Sequence, residues 1–119
     1  MQYMLLIHDD PAVWAAMSEQ EVGALMGEYL ALSASMKEAG VFVDGAPLQP
    51  ADTATSVRVR EGRTLTTDGP FAETKEQLGG YYLVEVESLD DALAWAARIP
   101  SARLGTIEVR PLRRAEVPA

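Results

Sequence analysis

The sequence contains no cysteine. That removes disulfides, iron–sulfur clusters and thiolate zinc sites together, and it suits a reducing cytosol. No apolar run approaches the roughly 18 residues of a membrane-spanning helix. The apolar segment at Tyr3–Ile7 is short and leads straight into His8-Asp9-Asp10, without the basic region or cleavage site of a signal peptide. The cytoplasm is the expected location, with no membrane partner. Basic residues are scarce: 10 Lys and Arg stand against 18 Asp and Glu, for a formal net charge of −8. A surface of that sign repels phosphate backbones, so no direct contact with nucleic acid is expected. Arg110, Arg113 and Arg114 form a local exception that reads as a solvated chain end. There is no glycine-rich phosphate loop, because Gly79-Gly80 leads into a strand rather than opening a helix. Nor is there a serine elbow. His8, Asp9, Asp10 and Asp68 are ligand types, but their spacing matches no mononuclear metal pattern, and nothing calls for a cofactor.

What is present is ordinary globular material. At 119 residues, 48% hydrophobic and 24% charged, the chain has the size and composition of one domain. That domain is read over residues 1–113, with 114–119 as a C-terminal tail. Tyr3–Ile7 lacks helical periodicity and stops at Asp10-Pro11, as a buried strand does. Ser18 followed by Glu21 is a capping box. Behind it Val22, Leu25, Met26, Tyr29, Ser33 and Met36 recur at helical spacing, and Gly40 supplies a left-handed stop. Val41–Val43 reads as a second strand ending at Asp44-Gly45. Two alternating segments, Ser56–Arg60 and Arg63–Thr67, read as a hairpin with one wet face around Glu61-Gly62. A polar connector, 72–77, has room for one helical turn. Gly80–Val86 is a strand, and Ser88 caps a helix whose inner stripe is expected at Leu89, Ala92, Leu93 and Ala96. Pro100 ends that helix, and Thr106–Arg110 is the last strand.

Without the hairpin, this order is two βαβ units in tandem. The expected fold class is therefore α+β: a ferredoxin-like antiparallel sheet with both helices on one face. On the first strand Tyr3, Leu5 and Ile7 point one way, and Met4 and Leu6 point the other. Both sets are apolar, so the helix-free face needs a cover. A second copy across a two-fold axis is the simplest one, and a homodimer is expected. Tyr81 and Tyr82 alternate across the sheet, one under the helices and the other towards the partner.

Two places carry candidate chemistry. In the turn Asp68-Gly69-Pro70-Phe71, the amide that an aspartate usually binds two residues on is absent, because Pro70 has no N–H. Asp68 is thereby available to other donors, or it merely closes the hairpin. Gly69 precedes a proline and is expected to be extended, with Phe71 anchoring the turn in the core. His8 stands where the first strand meets a loop. It is either a general acid–base or a strand end bonded to its surroundings. Asp9 and Asp10 follow it directly, but neighbours point apart on an extended chain, so Asp68 is the expected partner of His8.

The segment Thr67–Glu76, continuing through Gln77–Val84, resembles the signature of the DGPF group within the YCII-related family. The opening Tyr3–His8 and the closing Ile107–Pro111 are similar too, so the likeness spans nearly the whole chain. The resemblance implies a subunit that pairs into a dimeric α+β barrel. It implies an enzyme with a histidine/aspartate-centred site acting on an unidentified small molecule, with the histidine at His8 and the aspartate at Asp68. Genes of the DGPF group often lie beside extracytoplasmic-function sigma factors, which implies the alternative of a non-catalytic ligand-binding or regulatory module linked to such a factor.

Overall fold

The computed structural model describes residues 1–113; the expected tail at 114–119, with Arg114, lies outside the described residues. In chain order the elements are β1 (Gln2–Asp9), α1 (Pro11–Ala15), α2 (Glu19–Glu38), β2 (Phe42–Pro47), β3 (Thr55–Arg60), β4 (Arg63–Asp68), β5 (Gln77–Glu85), α3 (Leu89–Ala97) and β6 (Thr106–Pro111). Short 3₁₀ turns precede β3 and β6. The main sheet runs β2-β5-β1-β6 with every pairing antiparallel, and β3-β4 form a separate two-stranded sheet. This is the split βαβ order with a hairpin inserted between its halves.

Local chemistry accounts for the long helix. Ser18 Oγ accepts from the Glu21 N–H at 3.1 Å, and the Glu21 carboxylate accepts from the Ser18 N–H at 3.3 Å. Glu19 and Glu21 lie at the positive end of the helix dipole and Lys37 at the negative end. Gly40, at φ +74°, makes the left-handed exit. Leu25, Leu32 and Met36 are the buried residues of α2. Leu32 and Met36 meet Tyr3, Leu5 and Ile7 of β1, Tyr82 and Val84 of β5, and Ala92 and Ala96 of α3. Both long helices therefore cover the same face, and the alternation along β1 divides as its sequence implies. Met4, Leu6 and His8 stand half-buried on the opposite face, with Tyr81 and Leu83 beside them on β5.

Several expectations need correcting. α1 forms where a loop was expected, because Asp10 caps it and Pro11 sits in its first turn. β2 runs on through Asp44-Gly45 to Pro47, with a bulge at Val43. The connector at 72–77 contains no helical turn, and β5 starts at Gln77, earlier than expected. In α3 the buried stripe is Ala92 and Ala96 alone, while Leu89 and Leu93 are exposed. The hairpin is exposed on both faces, Val57 and Val59 included.

The turn after β4 also differs. Gly69 takes φ +100°, a region open to glycine, rather than an ordinary extended conformation. Phe71 is not a core anchor, being 86% exposed. Backbone bonds hold the turn instead: the Gly69 N–H donates to Ala54 O at 2.7 Å, and Ser56 Oγ donates to Gly69 O at 2.8 Å.

Candidate functional site

The end of β1 is the chemically loaded part of the fold. His8 and Asp9 are consecutive, so the pleat sends them to opposite faces. A bulge sharpens the division: Ile7 pairs with Gly80 and His8 with Leu78, which leaves Gly79 as the extra residue of β5.

On the helix-free face, His8 is level with Thr106 of β6. Glu108 lies two residues further on, the diagonal neighbour on the same face. His8 Nε2 comes within 3.2 Å of Glu108 Oε1, with both side chains part-exposed. Glu108 Oε2 is 3.9 Å from Arg110 Nε. Thr106 Oγ1 donates to Glu76 Oε1 at 3.0 Å. His8, Glu76, Thr106 and Glu108 border a cleft of about 1030 Å³ between the sheet end and the hairpin base, walled by Pro50, Pro70, Phe71 and Leu78. Its ionisable lining is two glutamates and one histidine, with no Lys or Arg among the lining residues.

Asp68 does not join His8. It is the last residue of β4, exposed, and its carboxylate has no hydrogen-bond or ion-pair partner among the described residues. Its successors Pro70 and Phe71 line the cleft. The carboxylate that the structure gives to His8 is Glu108, 100 residues away in sequence. Sequence reasoning had no means of selecting it, because the pairing depends on the β1–β6 register. A carboxylate placed so can orient the imidazole, which is what a general acid–base needs.

On the helix-covered face, Asp9 is 9% exposed. Its Oδ2 accepts from Trp14 Nε1 at 2.8 Å and from Ser101 Oγ at 3.0 Å. Ser101, wholly buried, also shares a hydrogen bond of 2.5 Å with the Tyr29 hydroxyl. Burial is the largest influence on the Tyr29 phenol and pushes its pKa above 10.0, against the opposing effect of the Ser101 hydrogen bond. This chain of groups was missed from sequence, although one signal existed: Asp9 is in phase with Tyr3, Leu5 and Ile7. At the far edge, Tyr81 donates to Asp44 Oδ2 at 3.0 Å; that bond, then the charge of Asp44, raises the Tyr81 pKa.

Among the described residues no group of three His, Asp or Glu side chains is arranged to hold a metal ion, and no helix is long and apolar enough to cross a membrane.

Comparison with known proteins gives three results. The sequence matches the YCII-related domain over residues 1–116. It is 41% identical over 114 residues to an uncharacterised protein of Rhizobium meliloti, covering 94% of this chain and 92% of that protein. The structure is similar to 5-chloro-2-hydroxyhydroquinone dehydrochlorinase (TftG) from Burkholderia phenoliruptrix, solved in complex with 2,5-dihydroxybenzoquinone. The TM-score is 0.52, with 97% of this chain and 96% of that chain covered at 15% sequence identity. At that identity the likeness is one of fold.

Proposed function

The chain belongs to the YCII-related domain family, and on that premise we propose that it is a small-molecule enzyme using His8 as general acid–base. The observation that carries this reading is the His8–Glu108 contact at the edge of a cleft large enough for a metabolite. Glu108 takes the orienting part first expected of Asp68. The reaction is a proton transfer to or from the bound molecule, as in an isomerisation or an elimination. Two glutamates and no cation in the lining disfavour an anionic substrate, so a neutral or cationic molecule fits better. A dehydrochlorinase of similar fold supports a catalytic over a purely structural reading.

The working unit is a homodimer. Met4, Leu6, Tyr81 and Leu83 give the helix-free face an apolar centre, and the hairpin exposes Val57 and Val59 at 61% and 59%. A second copy laid on that face covers the centre. Light scattering after size exclusion is expected to give twice the chain mass; a monomer at micromolar concentration contradicts it.

Catalysis is tested by following C–H to C–D exchange in D₂O for dihydroxyacetone, acetylacetone and aminoacetone by NMR. Wild type is expected to accelerate exchange in at least one, and His8→Asn to lose about 10²–10⁴-fold of that rate. No acceleration over the uncatalysed rate for any of the three, or acceleration indifferent to His8→Asn, refutes the assignment. Co-purification of the His8→Asn protein with a sigma factor, without any exchange activity in the wild type, would favour the regulatory alternative.

A further inference from the structure

A second cleft, of about 780 Å³, opens on the helix-bearing side of the sheet between α2, α1 and the β2–β5 edge. It shares the wall Leu48–Ala51 with the first cleft but has a different chemical lining. One end holds Asp9. Both of that residue's hydrogen bonds fall on Oδ2, and Oδ1 receives none. No wholly buried side-chain nitrogen or oxygen lacks a partner among the described residues. Oδ1 therefore keeps contact with solvent, and Asp9 lines this cleft. Gly79 stands beside it without a side chain: a Cβ there would come within 3.3 Å of Oδ1. The opening in front of the acceptor thus depends on the bulged glycine.

The remaining lining grades from aromatic to cationic. Trp14, Tyr29, Tyr82 and Phe42 supply rings. On α2, Tyr29, Ser33 and Lys37 follow one another at intervals of four, one stripe about 12 Å long at the helical rise. The hydroxyls along it are already engaged, Tyr29 with Ser101 and Ser33 with Tyr82 at 2.9 Å. Lys37 ends the stripe, its Nζ 5.0 Å from the centre of the Phe42 ring. Leu30, 74% exposed, and Met26 border the mouth and leave apolar surface in water that a ligand would cover.

We propose that this cleft binds a hydroxylated aromatic acid whose hydroxyl donates to Asp9 Oδ1 and whose carboxylate pairs with Lys37. The order of the ends follows from charge, because a carboxylate is repelled at Asp9 and attracted at Lys37. The length of the stripe calls for a ring carrying a short chain rather than a ring alone. Being anionic, the ligand is of the class that the glutamates of the first cleft disfavour, so the two clefts sort molecules by charge.

Isothermal titration with 4-hydroxycinnamate, cinnamate and 4-vinylphenol tests the assignment. 4-Hydroxycinnamate is expected to bind most tightly. Loss of the hydroxyl is expected to weaken binding about tenfold or more, the worth of one charge-assisted hydrogen bond, and loss of the carboxylate about two- to fivefold, because Lys37 is exposed. Lys37→Met should weaken 4-hydroxycinnamate to the level of 4-vinylphenol and leave the latter unchanged. Lys37 is exposed, so this variant tests the site even where Asp9→Asn fails to fold. His8→Asn should bind 4-hydroxycinnamate as wild type does, which separates this proposal from the acid–base site. No binding of 4-hydroxycinnamate at millimolar concentration, equal binding of all three compounds, or binding indifferent to Lys37→Met overturns it.

Discussion

Gly105 offers a severe test of how the loaded end of β1 is built. It precedes β6 and lies against the backbone from which His8 and Asp9 emerge. A Cβ on Gly105 would fall 2.2 Å from His8 O, 2.9 Å from the Asp9 Cα and 3.0 Å from Glu76 Oε1. Two of these three neighbours are main chain and cannot swing away, so Gly105→Ala must part β1 from β6 by the better part of an ångström. Overpacking of this kind costs about 1–3 kcal/mol, and rigid neighbours place this case near 3. With an unfolding entropy of about 2.1 cal/mol/K per residue over 119 residues, near 0.25 kcal/mol/K in all, the midpoint should fall by about 12 °C. Gly27→Ala is the control. Gly27 lies inside α2, and a methyl group there would meet nothing within 4 Å. The same substitution at that position should stabilise by about 0.5–1 kcal/mol and raise the midpoint by about 2–4 °C. Circular dichroism melts of the three proteins read both effects. A Gly105→Ala protein melting at or above wild type would refute the close approach of the chain at Gly105 to the end of β1.

Two further outcomes follow from the same structure. Ser18→Ala removes the acceptor of the capping box and should cost about 1 kcal/mol in urea denaturation; no loss would mean that tertiary packing alone holds the start of α2. Burial holds the Tyr29 phenol above 10.0, so the unfolded chain loses this proton first as the pH rises. The stability tied to that proton is complete below pH 10.0 and is lost as the pH climbs through 10.0 towards the raised folded value. Urea denaturation between about pH 9 and 11 should show a shallower alkaline decline in Tyr29→Phe than in wild type; equal slopes contradict the raised phenol pKa.

The sequence made the fold readable because its signals were local and agreed with one another. Ser18 and Glu21 start α2, Gly40 stops it, and the residues of β1 alternate between its two faces as their spacing implies. The site was less readable because it depends on register. His8 meets Glu108 only because β6 lies beside β1 with His8 level with Thr106, which no spacing along the chain reveals. Asp9 looked like a mere neighbour of His8, yet its phase with Ile7 carries it into the helix-covered layer, where Trp14 and Ser101 bind it. Phe71 misled for the opposite reason. Size and hydrophobicity suggest a core anchor, whereas backbone bonds at Gly69 hold the turn and leave the ring in the cleft wall. Leu89 and Leu93 fit a helical stripe by spacing, but the close approach of α3 to the sheet is made by Ala92 and Ala96.

The central claim is that adjacent residues at the end of one strand serve two clefts on opposite faces. A ¹⁵N-labelled sample tests it most directly, since His8 is the only histidine and the Trp14 indole N–H is bonded to Asp9. Aminoacetone should move the His8 imidazole signals and leave the Trp14 indole in place, while 4-hydroxycinnamate should move the Trp14 indole and leave His8 in place. Both compounds moving the same signals, or neither compound moving its own, would contradict it.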